Sequence, residues 1–127
     1  LAFSLLAVIV GGALGCVLRW LFAVKFNGLF PSLPLGTLAV NLIGCLVIGV
    51  ALAWFAKVPG LDPAWRTLIT TGFCGGLTTF SSFSAEVITL LQDGKPGWAL
   101  TAMAAHLVGS LLMTALGFAL VNGFYRA

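Results

Sequence analysis

The third apolar stretch holds the densest run of chemistry-bearing residues: Thr70-Thr71-Gly72-Phe73-Cys74-Gly75-Gly76-Leu77-Thr78-Thr79-Phe80-Ser81-Ser82-Phe83-Ser84-Ala85-Glu86. Glycines interrupt it before a Thr/Ser cluster. Glycine loses more backbone freedom on folding than any other residue and weakens a helix interior. Non-helical backbone at membrane depth survives only inside protein or beside a water-filled cavity. The run therefore predicts a helix broken between Gly75 and Thr79, with an unbroken glycine-rich packing face as the alternative. A break frees carbonyls at one half-helix end and N–H groups at the other, and freed carbonyls suit a cation such as Na+.

Past the break, Phe80 and Phe83 are three residues apart, as are Ser81 and Ser84. On a helix each pair lies on adjacent turns of one face. A phenyl ring has a positive edge, so ring edges beside hydroxyl donors would attract an anion. Hydroxyls are not needed to pack a core, and this separates the Phe/Ser alternation from simple aromatic packing. Glu86 is the only acid well inside a stretch, read either as a functional carboxylate or as a residue near the interface. In the second stretch Thr37, Asn41, Gly44 and Ile48 share a face; the Asn41 amide is either interhelical glue or an anion donor. In the fourth, His106, Ser110 and Thr114 form a polar stripe at i, i+4 and i+8, with His106 read as a core residue. The first carries Gly11-Gly12-x-x-Gly15, a close-packing signal, and then Arg19, which either snorkels or draws anions to a pore mouth.

These residues lie in a chain that is 61% hydrophobic and 7% charged. Soluble domains carry about a quarter charged residues, and so few charges cannot form a polar shell. The apolar stretches run over about 1–24, 35–56, 63–91 and 98–124. Each reaches the ~20 residues that cross the hydrocarbon core. Asn27-Gly28, Pro59-Gly60 and Pro96-Gly97 mark the connections. Trp20, Trp54, Trp65, Trp98 and Tyr125 sit near stretch ends as interfacial anchors. The expectation is an all-α membrane protein: one domain over 1–127 with four transmembrane helices, the third broken. The first stretch lacks a basic leader and reads as a span. Cys16, Cys45 and Cys74 have no metal-ligand spacing and read as apolar packers. An enzyme is excluded on inventory, with one His and no carboxylate pair, and no basic cluster points to nucleic acid.

With four spans, one side of the membrane carries Lys57, Arg66 and Arg126 and the other Arg19, Lys25 and Lys95. Lysine and arginine bias sets orientation, and here it is zero. Either a lost terminal residue broke the tie or the chain inserts both ways up. The second reading permits an antiparallel dimer about a twofold axis in the membrane plane.

The GGxxGxxxR run, the Gly36-Thr37-x-x-x-Asn41-x-x-Gly44 motif and above all Gly72-x-x-Gly75-Gly76-x-Thr78-Thr79-Phe80-Ser81-Ser82-Phe83-Ser84 resemble the Fluc (CrcB) fluoride channels over nearly the whole chain. That resemblance implies antiparallel, dual-topology homodimers of four-span subunits in the cell inner membrane. It implies two passive pores that prefer fluoride to chloride and lower cytoplasmic fluoride. It further implies a central structural Na+ on the backbone carbonyls of Gly75 and Thr78, pores lined by Phe80, Phe83 and Asn41, a basic vestibule residue at Arg19, and a pore hydroxyl at Ser110. His106 matches no position of that pattern. Fluoride is small and strongly hydrated, so dense donors must replace its water; Asn41, Ser81, Ser84, Ser110 and Thr114 are such donors. Two alternatives from other classes are a dual-topology, proton-coupled drug exporter and a structural subunit of a larger complex. The exporter would need a carboxylate in the first span, which has none.

Overall fold

The computed structural model describes residues 1–126, so Ala127, the last residue of the expected domain, lies outside the described residues. Among the described residues the chain is all-helical. Helix α1 covers Ala2–Phe26 and runs into a short 3-10 turn, Asn27–Leu29. Helix α2 covers Leu35–Lys57. Helix α3 spans 63–77, α4 is Phe80–Gln92, and α5 is Pro96–Arg126.

Local chemistry sets the ends. Asp62 caps α3 by accepting the Ala64 N–H at 2.9 Å, with Pro63 as its first helical residue. The middle of α3, Thr67–Cys74, is wound as a π-helix, with the Gly75 N–H reaching back to the Thr70 carbonyl. At the end of α4, Gly94 takes φ 72°, and the Lys95 N–H donates to Leu90 O at 2.8 Å. This glycine-closed end turns α5 back onto α4, where Val87, Leu90, Ala99 and Ala102 form a small core with Leu33 and Phe83.

Among the described residues, three helical segments are long and apolar enough to cross a membrane: Ala2–Leu29, Leu35–Lys57 and Pro96–Arg126, with mean hydropathies of 2.1, 2.3 and 1.9. The expected third span is instead two half-helices, α3 and α4, each short of the ~20 residues a crossing needs. They are separated at Thr78 (φ −84°, ψ 155°) and Thr79 (φ −149°, ψ 118°), both extended. The break is thus narrower than Gly75–Thr79, and its cause is not glycine flexibility. Gly75 is ordinary helix (φ −62°, ψ −37°). Thr79 ends the helix because it caps the next one, its Oγ1 accepting the Ser82 N–H at 3.1 Å.

The glycines serve close packing instead. Gly11 and Gly15 of α1 face Gly72 and Gly76 of α3. A Cβ added at Gly76 would lie 2.6 Å from the Gly12 carbonyl oxygen, and one at Gly72 would lie 3.0 Å from the Gly11 Cα. The expected GxxxG seam of the first span therefore pairs with a second one in α3. Gly49 and Gly117 bring α2 and α5 together in the same way. Leu5, Ile9, Leu14 and Val17 on α1 and Leu107, Leu111, Leu112 and Leu116 on α5 are exposed, an apolar surface suited to lipid.

Candidate functional site: a cleft at the helix break

The break must satisfy backbone groups that a continuous helix would have paired. A helical Thr79 N–H would donate to Gly75 O; here it donates to the Asn41 Oδ1 at 2.8 Å. The Thr79 carbonyl accepts from Asn41 Nδ2 at 3.1 Å. One amide from α2 thus reads both backbone groups of one residue. At the end of α3, Gly76 O loses Phe80 as its helical donor and accepts from Arg19 Nε at 2.9 Å. Cys74 O accepts both the Thr78 N–H (3.0 Å) and the Thr78 hydroxyl (2.8 Å). The Gly75 carbonyl has given up its helical donor, and Thr78 is extended, so its carbonyl leaves the helical row.

Of the α2 face expected from the sequence, Thr37, Asn41 and Gly44 bond or pack against the break and α4. Gly44 packs against the Thr78 methyl. Two turns earlier, buried Thr37 donates its hydroxyl to Glu86 Oε2 at 2.6 Å. The Thr37 N–H donates in turn to Asn27 Oδ1 at 3.0 Å. Glu86 is thus tied to α2.

Beside the break lies a cleft of about 270 Å³ lined by Asn41, Cys45, Thr78, Thr79, Phe80, Phe83, His106, Leu107, Ser110 and Leu111. The two phenyl rings meet edge to face, with centroids 5.6 Å apart at 68°. Phe83 also lies 4.5 Å from the His106 ring. Of the residues singled out from the sequence, Asn41, Phe80, Phe83 and Ser110 meet in this cleft, with Thr78 on its wall. Ser81 is exposed on α4 beside the cap, its Oγ 3.2 Å from Thr79 Oγ1. Ser84 is exposed on the same helix, and Thr114 sits farther along α5, its carbonyl against Gly49. Arg19 is engaged with the half-helix carbonyl at 2.9 Å.

Sequence reasoning read His106 as a core residue, which its burial bears out, but gave it no place in the site. It is buried in the cleft wall, its Nδ1 3.0 Å from Asn41 Nδ2. The signal was present, since His106 heads the α5 polar stripe. It also missed the part played by the Thr79 backbone, for which a Thr followed three residues later by Ser at a helix start gives only a capping hint.

The family described as "CrcB-like protein, Camphor Resistance (CrcB)" matches residues 6–118. The chain belongs to this family. Among its relatives, the protein named Fluoride-specific ion channel FluC from Erwinia tasmaniensis is 61% identical over 118 residues, covering 93% of this chain and 94% of the relative. The proteins of the same name from Escherichia coli O1:K1 and Pseudomonas paraeruginosa are each 60% identical over 119 residues, covering 94% of both chains. With its exposed apolar helices, this CrcB-like chain is a multi-pass membrane protein.

Proposed function

We propose that the chain is a passive, fluoride-selective anion channel that lowers cytoplasmic fluoride across the cell inner membrane. The observation that carries this reading is the 61% identity to a protein named Fluoride-specific ion channel FluC over almost the full length of both chains. The cleft at the break supports it, because ring edges and a hydroxyl converge there with no acid among the lining residues.

In this reading α3 and α4 together make the third of four crossings, and the working unit is an antiparallel homodimer with two pores. Two features of the subunit favour a partner. Phe80 is 78% exposed at the cleft edge, so one subunit leaves the pore wall open. Thr71, Gly75, Ser81 and Ser84 are exposed in apolar surroundings, and polar groups in hydrocarbon need covering. The even Lys/Arg distribution is compatible with insertion in both orientations.

The Gly75 and Thr78 carbonyls fit a hard cation, since one has lost its helical donor and the other has left the helical row. A Na+ held by them from both subunits would supply a fixed positive charge near the dimer axis. Phe80 and Phe83 would present ring edges to the ion, Ser110 a hydroxyl, and Ser81, Ser84 and Thr114 further donors along its path. Arg19 would add positive potential while closing the Gly76 carbonyl. Asn41 shapes the pore by holding the break. The exporter alternative finds no observation in its favour: the one intramembrane acid lies on α4 and accepts the Thr37 hydroxyl.

The test is fluoride efflux from liposomes holding purified protein, read with a fluoride electrode beside a parallel chloride measurement. Rapid fluoride loss that requires an ionophore to relieve the voltage, without chloride loss, is the expected result. No fluoride loss from well-folded protein overturns the reading.

A further inference from the structure

The Asn41 amide can be oriented in only one way at the break. The Thr79 N–H must face an acceptor, so the Asn41 atom 2.8 Å from it is Oδ1. The Thr79 carbonyl must face a donor, so the atom 3.1 Å from it is Nδ2. The same Nδ2 lies 3.0 Å from His106 Nδ1. An amide nitrogen only donates, so His106 Nδ1 must carry a lone pair and the ring proton must sit on Nε2. The two amide hydrogens and the carbonyl oxygen of Asn41 are then all engaged.

From this geometry we propose that His106 is a positioning residue. Its Nδ1 accepts the second Asn41 hydrogen, fixes the amide plane, and so holds the Thr79 backbone extended between the half-helices. His106 is itself well placed for this: it is 5% exposed, and its ring stacks against Phe83 at 4.5 Å and 35°. The chain runs from α5 through His106 and Asn41 to the break, and Phe80 and Phe83 begin α4 directly beyond it. A shift of the Asn41 amide would re-aim the start of α4 and with it both rings. The inference rests on the channel reading only for its transport readout.

The chain has one histidine, so nitrogen-15 NMR of the histidine-labelled full-length protein in detergent reports this ring alone. The expected spectrum is a neutral ring with unprotonated Nδ1 and protonated Nε2. A ring protonated on Nδ1 at neutral pH overturns the proposal. Three variants supply the second readout, amide hydrogen exchange at Thr79. His106→Asn places an amide oxygen where Nδ1 stood, His106→Gln places its amide near the Nε2 position, and His106→Leu has neither. Thr79 should stay protected in His106→Asn and exchange about tenfold faster in His106→Gln and His106→Leu, as expected for one lost buried hydrogen bond. Any other ranking overturns the role. Fluoride efflux should follow the same order. If the wild-type protein moves no fluoride, the channel reading fails, while the NMR and exchange results still decide the role of His106.

Discussion

The two halves of the broken helix are held in different proportions by close packing and by polar contacts. α3 is fastened to α1 mainly by close backbone contact, Gly11 and Gly15 against Gly72 and Gly76, with the Arg19 side chain bonding the Gly76 carbonyl at its end. α4 is fastened by side-chain hydrogen bonds: Asn41 on Thr79, the Thr79 cap on Ser82, and Thr37 on Glu86. In lipid there is little hydrophobic drive between helices, so association rests on close packing and on polar contacts. In this molecule close packing dominates at α3 and polar contacts are concentrated at the start of α4. A glycine seam tolerates almost no added volume, whereas polar straps can be removed one at a time. The half held by straps carries the phenyl rings and the open hydroxyl face.

The largest expected effect comes from breaking the seam. Gly76→Val would drive its Cβ onto the Gly12 carbonyl, 2.6 Å away. The added volume should cost at least about 1–3 kcal/mol and abolish recovery of monodisperse protein on size exclusion. Gly12→Ala is the sharpening control, because its Cβ would meet only Gly72 O at 3.9 Å; it should purify normally. If Gly76→Val also purifies normally, the seam is not what holds α3.

Breaking the strap comes next. Asn41→Leu leaves the Thr79 N–H and C=O unpaired, at about 1–3 kcal/mol for each group. Lowered thermal stability in detergent together with lost fluoride efflux is expected, with protein still recoverable. Unchanged stability would show that the break holds itself.

Phe80→Ile touches the open face alone. Its ring is 78% exposed and meets the Phe83 ring at its edge, so fluoride efflux should fall while stability stays near wild type. Equal efflux would remove the ring from the pore. Thr37→Val, which deletes the hydroxyl on Glu86, should be milder: interhelical hydrogen bonds in membranes average about 0.6 kcal/mol, a small shift in melting temperature. The smallest effect belongs to Gly123→Ala, where nothing lies within 4 Å; it should be neutral or slightly stabilising, and a large loss would place an unrecognised contact there.

What the sequence by itself determined is what local chemistry controls. Membrane residence follows from 7% charge, since side chains choose between water and lipid one by one. That the helix breaks somewhere within Gly75–Thr79 and the Phe80/Phe83 spacing were also legible, because helix-weakening residues, capping and helical periodicity act within a few residues. Even there, the glycines were assigned the wrong job: their density was readable, but whether they loosen a helix or admit a neighbour depends on what lies opposite. Only the tertiary structure decided the partners. Asn41 and Thr79 are 38 residues apart, Arg19 and Gly76 57, and Asn41 and His106 65. An amide offers the same donors and acceptor wherever it stands in the sequence, and only packing α2 between the break and α5 determines which groups they meet.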